Sequence, residues 1–370
     1  MQTMPIAEKM TPFLPFTLPG GQSLKNRLVL APMTTYSSFD DGVIRPEEVE
    51  FLKSRAEDGF GMVMTAACYV HPSGKAFDGQ WACSDDRFLP SLKSAADGIH
   101  DGGAFAVLQI HHGGRQSPGR LCGGTSLSAS AIPAERENAE TPRSMTIAEI
   151  EEIIDAFGSA ARRAKDAGFD GVEIHGANTY LLQQFVSPHS NRREDEYGQD
   201  RLLFSKRVVE SVLSSVGPNF PVGYRYSPEE IETPGIRWPD THDLIELLLG
   251  FPLAWHHISL KDYKVPSLVG DFDEPVLKRV RRLIGNRAPL ISVGAVNTLA
   301  DAEAALEDSE LVAVARAAIT DPNYVRKLMQ GEKPNLAFPR SGAKESLNLP
   351  EGLVNRILGA PGWLPAEEPA

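Results

Sequence analysis

Eight short apolar runs, each followed by a stretch of helical periodicity, constrain the fold of this chain more than any other feature. The runs are 27–32 (RLVLAP), 61–66 (GMVMTA), 104–110 (AFAVLQI), 170–175 (DGVEIH), 221–226 (PVGYRY), 255–259 (WHHIS), 289–293 (PLISV) and 311–315 (LVAVA). Strands that are apolar almost throughout are buried on both faces, the condition of a parallel sheet. The helical stretches lie near 46–57, 85–101, 146–166, 199–215, 240–249, 274–284, 299–307 and 322–329. In the third, Ile147, Ile150, Ile153, Ile154, Phe157 and Ala161 share a face, and Thr146 with Glu149 forms a capping box. Eight alternations predict an α/β fold, a single-domain (β/α)₈ TIM barrel over 11–330, with a doubly wound open sheet as the runner-up. Two connections exceed what a barrel needs. The long loop after strand 3, 112–145, is Gly-rich with a charged ERENAETPR segment and reads as a loop or lid; the other is 176–198. Residues 331–370 are expected to form an extended C-terminal tail packing on the barrel or on a neighbouring subunit.

With 42% hydrophobic and 23% charged residues, the 370-residue chain can bury a large core. Its net charge of −12, with basic runs no longer than pairs such as Arg281-Arg282, argues against nucleic acid or an anionic membrane as a main partner. Three cysteines, Cys68, Cys83 and Cys122, are spaced for neither a zinc site nor a disulfide framework and fit a reducing compartment. The N-terminus has no apolar stretch of signal-peptide length, and the most apolar segment, LIELLLGFPLAW, is interrupted by Glu246 and Pro252. A soluble, cytoplasmic protein is expected.

A barrel carries its chemistry where the strands end. Those ends hold Pro32-Met33-Thr34 with Tyr36, Gln109 with His111 and His112, then His175, Arg225, Gly294-Ala295 and Arg316. Gly294, Ala295 and Arg316 follow the seventh and eighth strands and suit a phosphate; the alternative is an Arg316 paired with a carboxylate. Arg225 inside an apolar strand needs an anionic or electron-rich partner, either a ligand or an acid on a neighbouring strand. Gln109 offers a donor and an acceptor to a heterocycle edge, or serves as a core amide bonded to backbone. His175, Asn178 and Tyr180 stand at i, i+3 and i+5 in EIHGANTY. With no carboxylate or G-x-S-x-G serine beside them, they suit polarising a substrate oxygen and donating a proton, against a histidine that merely ends a strand. A metal site is not expected, because the adjacent His111 and His112 point to opposite sides of a strand. Neither a P-loop nor a G-x-G-x-x-G fingerprint occurs.

The segment HGANTYLLQQFVSPHSNRREDEYG, residues 175–198, resembles the signature of the Old Yellow Enzyme-type, flavin-dependent oxidoreductases. LKNRLVLAPMTTYSS resembles their first strand, LQIHHGGR their third, and SVGAVNT with VARAAITDP their phosphate-binding strands, so the likeness covers roughly 11–330. The resemblance implies FMN held noncovalently, with NADH or NADPH as reductant. Pro32, Met33 and Thr34 would lie along the flavin, Ala66 and Gln109 at its ring edge, Arg225 near N1, and Gly294, Ala295, Ala315 and Arg316 at the phosphate. His175 and Asn178 would hold the substrate oxygen, Tyr180 would donate the proton, and Tyr36 would touch substrate as in the bacterial subclass. It also implies a homo-oligomer, dimer or tetramer. Thr34 replaces that subclass's usual Cys, Tyr197-Gly198-Gln199-Asp200 replaces Tyr-Gly-Gly-Ser, Ala315 stands where Gly is usual, and Pro361-Gly362-Trp363 replaces the terminal Arg-Gly-Trp whose arginine enters a neighbour's site. The expected activity is reduction of the activated C=C bond of α,β-unsaturated carbonyl or nitro compounds. The alternatives are a flavin-binding NAD(P)H oxidase or sensor and a flavin-free sugar-phosphate barrel enzyme.

Overall fold

The structure is a computed structural model that describes residues 11–367. Residues 1–10, where no signal segment is expected, and 368–370, the end of the tail, lie outside the described residues. Eight strands form the core: β1 (Leu28–Leu30), β2 (Met62–Met64), β3 (Phe105–His111), β4 (Gly171–Gly176), β5 (Val222–Tyr226), β6 (Trp255–Ile258), β7 (Leu290–Val293) and β8 (Leu311–Val314). Each pairs in parallel with its sequence neighbours, and β8 pairs with β1, so the sheet closes into a barrel. Outside it lie α1 (Pro46–Asp58), α2 (Leu89–Asp101), α3 (Ile147–Asp166), α4 (Leu203–Val216), α5 (Trp238–Leu249), α6 (Val276–Ile284), α7 (Leu299–Ala305) and α8 (Tyr324–Gln330).

Burial on both faces of the strands has two separate sources. Val29, Met62, Met64, Val107, Ile291, Val293, Leu311 and Ala313 point inward and pack with Trp255. Their neighbours, such as Leu28, Leu30, Val63, Leu108 and Ile174, point outward to the helices, as the two-residue period of a strand requires. Gly223 makes room for the indole, since a Cβ there would lie 2.0 Å from Trp255 Nε1. An antiparallel hairpin, Phe16–Thr17 with Ser23–Leu24, adds Leu18 and Leu24 to the same interior cluster.

Local signals set the helix ends. The Thr146 side chain accepts from Glu149 N at 3.2 Å and Glu149 Oε2 accepts from Thr146 N at 2.8 Å, which starts α3. The stretch expected at 199–215 is split: Glu196–Gln199 make one turn, Asp200 is extended, and α4 begins at Leu203. The long connection 112–145 holds a one-turn helix, Gly119–Cys122, and a two-residue parallel pair, Leu127–Ser128 with Arg143–Ser144. In the tail, α9 (Glu351–Leu358) buries Leu353 and Ile357. Arg55, fully buried, reaches across from α1 and donates to Ala318 O and Leu347 O, both at 2.8 Å.

Candidate active site

The inward-facing residues turn polar toward the C-terminal ends of the strands. Gln109 stands level with Glu173, and Arg225 is level with both His175 and His257. Glu173, fully buried, organises the lower of these levels. Its Oε1 accepts from Gln109 Nε2 at 2.9 Å, and its Oε2 accepts from Trp255 Nε1 at 3.0 Å and His257 Nδ1 at 2.8 Å. Burial by itself would raise the Glu173 pKa, but His257, Arg225 and the Trp255 donor outweigh it and hold the carboxylate below its ordinary value. Burial pushes the His257 imidazole down, so it donates to Glu173 as a neutral ring.

One level up, hydrogen bonds fix the tautomers of two histidines. His175 Nδ1 accepts from Ala177 N at 3.3 Å, which leaves the proton on Nε2. Burial, with His111 and Arg225 nearby, keeps this ring neutral, well below its usual pKa. Gln80 Oε1 accepts from Ala76 N at 2.7 Å, so its amide nitrogen faces Ala67 O and His111 Nδ1, at 3.0 and 3.1 Å. His111 therefore also carries its proton on Nε2. His112 points elsewhere: its Nδ1 accepts from Gly114 N, and its Nε2 lies 3.0 Å from Ser73 Oγ.

Tyr180 stands edge-on to His111 and His175, with ring centroids 4.4 and 5.1 Å away, and Phe77 packs against Tyr180, Tyr36 and His111. Burial raises the Tyr180 phenol above its ordinary pKa, so it is protonated at neutral pH. Asn178 is exposed and turns toward β6: its Nδ2 donates to Ser259 Oγ at 3.1 Å, and Ser259 also accepts from Arg225 Nη2 at 3.2 Å. His175, in β4, and Asn178, just beyond its end, thus share no hydrogen bond. Tyr36, Asn178, Thr179 and Ala295 all hold positive φ, from 53° to 63°, a conformation that costs about 1–3 kcal/mol at each non-glycine residue. That strain sits at the mouth of the barrel.

Pro32, Met33, Thr34, Tyr36, Phe77 and Tyr180 line a cavity of about 330 Å³ together with four tail residues. Thr35 and Ser38 are tied to the buried Glu48 carboxylate, at 2.5 and 2.8 Å, whereas Thr34 has no side-chain hydrogen bond to a described residue. Ala66 is buried at the end of β2, with its methyl group in the outer core. Gly294 (φ 121°) and Ala295 form the turn after β7, and Tyr263 N donates to Gly294 O. Ala315 precedes a one-turn helix, Arg316–Thr320, and Arg316 is exposed, with no ion pair to a described carboxylate.

The residues fit a planar polar cofactor seated on the barrel mouth. His111 Nε2, Arg225 Nε and His257 Nε2 are inward-facing, buried and without a partner among the described residues. His111 Nε2–H and Arg225 Nε–H are donors, and His257 Nε2, unprotonated because Nδ1 donates to Glu173, is an acceptor. Buried polar atoms of this kind cost about 1–3 kcal/mol each when unpaired, so a native site supplies them with a ligand or water. Phe77, Gln80, His111, Ser259 and Arg356 were not selected as site residues from sequence. His111 had a signal, since it stands two residues after Gln109 and so shares its face. Ser259 had one as well, as the last residue of the expected sixth strand, whereas Phe77, Gln80 and Arg356 lie in a loop or in the tail and have none.

Comparison with known proteins supplies the family. A model described as the NADH:flavin oxidoreductase / NADH oxidase family matches residues 12–335. The chain belongs to that family. It is 40% identical over 96% of its length to the probable NADH-dependent flavin oxidoreductase YqiG of Bacillus subtilis (strain 168), of which it covers 98%. It is 41% identical over 92% of its length to the NADH:fumarate oxidoreductase of Klebsiella pneumoniae (strain 342), but spans only 38% of that longer protein. Among solved structures, morphinone reductase superposes with a TM-score of 0.76 at 26% identity, covering 89% of this chain and 91% of that one. The old yellow enzyme homologue from Zymomonas mobilis, at 23% identity and a TM-score of 0.80 over 93% of this chain and 99% of that one, shares the fold. No helix among the described residues is long and apolar enough to cross a membrane.

Proposed function

We propose that this chain is an FMN-dependent oxidoreductase that uses NADH or NADPH to reduce the activated C=C bond of α,β-unsaturated carbonyl or nitro compounds. The observation that carries this reading is the pairing of a neutral His175, protonated on Nε2, with a partly buried, protonated Tyr180 whose ring stands 5.1 Å from the imidazole. FMN, when bound, supplies the hydride. Pro32, Met33 and Thr34 would lie along it, with Ala66 and Gln109 at its edge, Arg225 near N1, and Gly294, Ala295, Ala315 and Arg316 at its phosphate. The unpartnered Arg225 Nε and the unpaired Arg316 support that assignment.

The protein's own residues then do three things. His175 Nε2–H and the Asn178 carboxamide donate to the substrate oxygen and stabilise the negative charge that grows there as the β-carbon is reduced. Tyr180 gives its phenolic proton to the α-carbon on the other side of the double bond. Tyr36 and Phe77 wall the pocket and keep water from the reacting carbons. Ser259 positions Asn178 and Arg225 with one hydroxyl. The names of two longer relatives, an NADH:fumarate and an NADH:acrylate oxidoreductase, are consistent with conjugated alkenes as the substrate class.

The test is stopped-flow kinetics on FMN-loaded protein with NADH, NADPH and 2-cyclohexenone. Tyr180→Phe should leave flavin reduction by the nicotinamide unchanged and slow enone turnover by about 10²-fold or more. A protein that binds no FMN, or a Tyr180→Phe variant slowed in flavin reduction instead, would overturn the assignment.

A further inference from the structure

The tail closes over the site of its own chain. Gly352 N donates to Ser37 Oγ at 2.8 Å, and a Cβ on Gly352 would stand 1.9 Å from the Tyr36 carbonyl oxygen. Helix α9 and the loop after β1 therefore meet backbone to backbone, and burial of Leu353 and Ile357 holds the helix there. That contact brings Arg356 to the rim of the cavity that Met33, Thr34, Tyr36 and Tyr180 line, and to the wider one of about 740 Å³ beside it. Its guanidinium lies 5.6 Å from the centre of the Tyr36 ring. Arg356 is exposed and makes no ion pair or hydrogen bond with a described residue. Arg120, which lines the wider cavity too, is already held by both oxygens of Asp78 at 2.6 and 2.5 Å.

We propose that Arg356 binds a carboxylate of the substrate to be reduced, so that this site selects unsaturated carbonyl compounds that also bear an acid group. The inference rests on the reading of the site as a C=C reductase. A free guanidinium presents a planar fork that matches a carboxylate, and no internal ion pair has to break for it to bind one. The Tyr36 ring beneath it restrains its position. The cavity that it lines with Thr34 and Tyr180 puts the guanidinium on the same small space as the proton donor. On a chain of net charge −12, a cation at the entrance also offsets the long-range repulsion of anionic substrates. The arginine is supplied in cis from α9; it is not the arginine of the terminal Arg-Gly-Trp, whose place here is Pro361.

The experiment compares 4-oxopent-2-enoate with its methyl ester on the FMN-loaded enzyme with NADH, in the natural protein, Arg356→Gln and Arg356→Lys. Arg356→Gln should lower the acid-to-ester ratio of kcat/KM about tenfold, chiefly through KM for the acid, and Arg356→Lys should restore part of it. Calorimetry with the non-reducible 4-oxopentanoate should show affinity weakened by a similar factor in Arg356→Gln. An unchanged ratio with unchanged 4-oxopentanoate affinity overturns the proposal. So does a loss confined to NADH affinity in the reductive step, which would assign the guanidinium to the dinucleotide's pyrophosphate. If the natural protein reduces neither compound, the C=C reductase reading fails, and the calorimetric arm still decides whether Arg356 holds a carboxylate.

Discussion

Replacing Glu173 by Gln and by Ala separates the carboxylate's two tasks. In Glu173→Gln, the side-chain oxygen can keep the Trp255 and His257 donors while the new amide nitrogen faces Gln109. Gln109 must then turn its own amide over to accept, and so presents its nitrogen where its oxygen stood. Three charge-assisted bonds become neutral ones, a loss of about 1 kcal/mol each, partly offset because a buried charge is gone. The expected destabilisation is therefore about 1–2 kcal/mol, with FMN affinity weakened about tenfold because the edge that Gln109 offers has reversed. In Glu173→Ala all three donors lose their acceptor, and about 1–3 kcal/mol per bare buried donor predicts at least 3 kcal/mol. Urea unfolding of the apoprotein measures the first quantity, and fluorescence titration with FMN the second. Equal stability of the two variants, or a Glu173→Gln protein with unaltered FMN affinity, would refute the idea that Glu173 orients Gln109.

Two further perturbations test the tail and the buried histidines. Gly352→Ala should lift α9 from Tyr36, cost about 1–3 kcal/mol of local packing, and speed tryptic cleavage at Arg340, Lys344 and Arg356; a cleavage rate equal to that of the natural protein would show that the contact does not hold the tail. Burial lowers His111 to about 3, and burial, with Arg281 and Arg287 nearby, lowers His256 to about 4, so both are neutral in the folded state and protonate first in the unfolded chain. The stability they contribute is complete above pH ~6.5 and falls toward pH 4, at roughly 1.4 kcal/mol per pH unit for each. Unfolding free energies at pH 7, 6 and 5 check this. His112, His175 and His257 are pushed down as well, so His256→Phe, at a ring with neither nitrogen partnered among the described residues, should flatten the slope by one residue's share, at most about 1.4 kcal/mol per pH unit.

Much of the barrel was legible because its signals are local. The alternation of strand and helix, the Thr146-Glu149 box and the two-residue period that separates His111 from His112 all act within one turn or one strand. The helix expected from 199 starts later, since Asp200 takes an extended conformation and α4 begins at Leu203. At the site, His175, Asn178 and Tyr180 fall within six residues, so the sequence displays them together. It could not show that Asn178 turns to Ser259 instead of His175, because that partner lies 81 residues away.

The sequence by itself determined the eight-unit barrel, which residues of each strand point inward, and the strand ends where the chemistry gathers, since periodicity and capping depend only on near neighbours. Only the tertiary structure decided how those residues are wired. Closure of the sheet put Trp255 and His257 on Glu173 across 82 and 84 residues, Gln80 on His111, and Gly352 against Tyr36. Such contacts follow from strand register and from the path of a tail that returns over its own barrel. No local propensity encodes either, because the free energy that selects them comes from burying the whole interior at once.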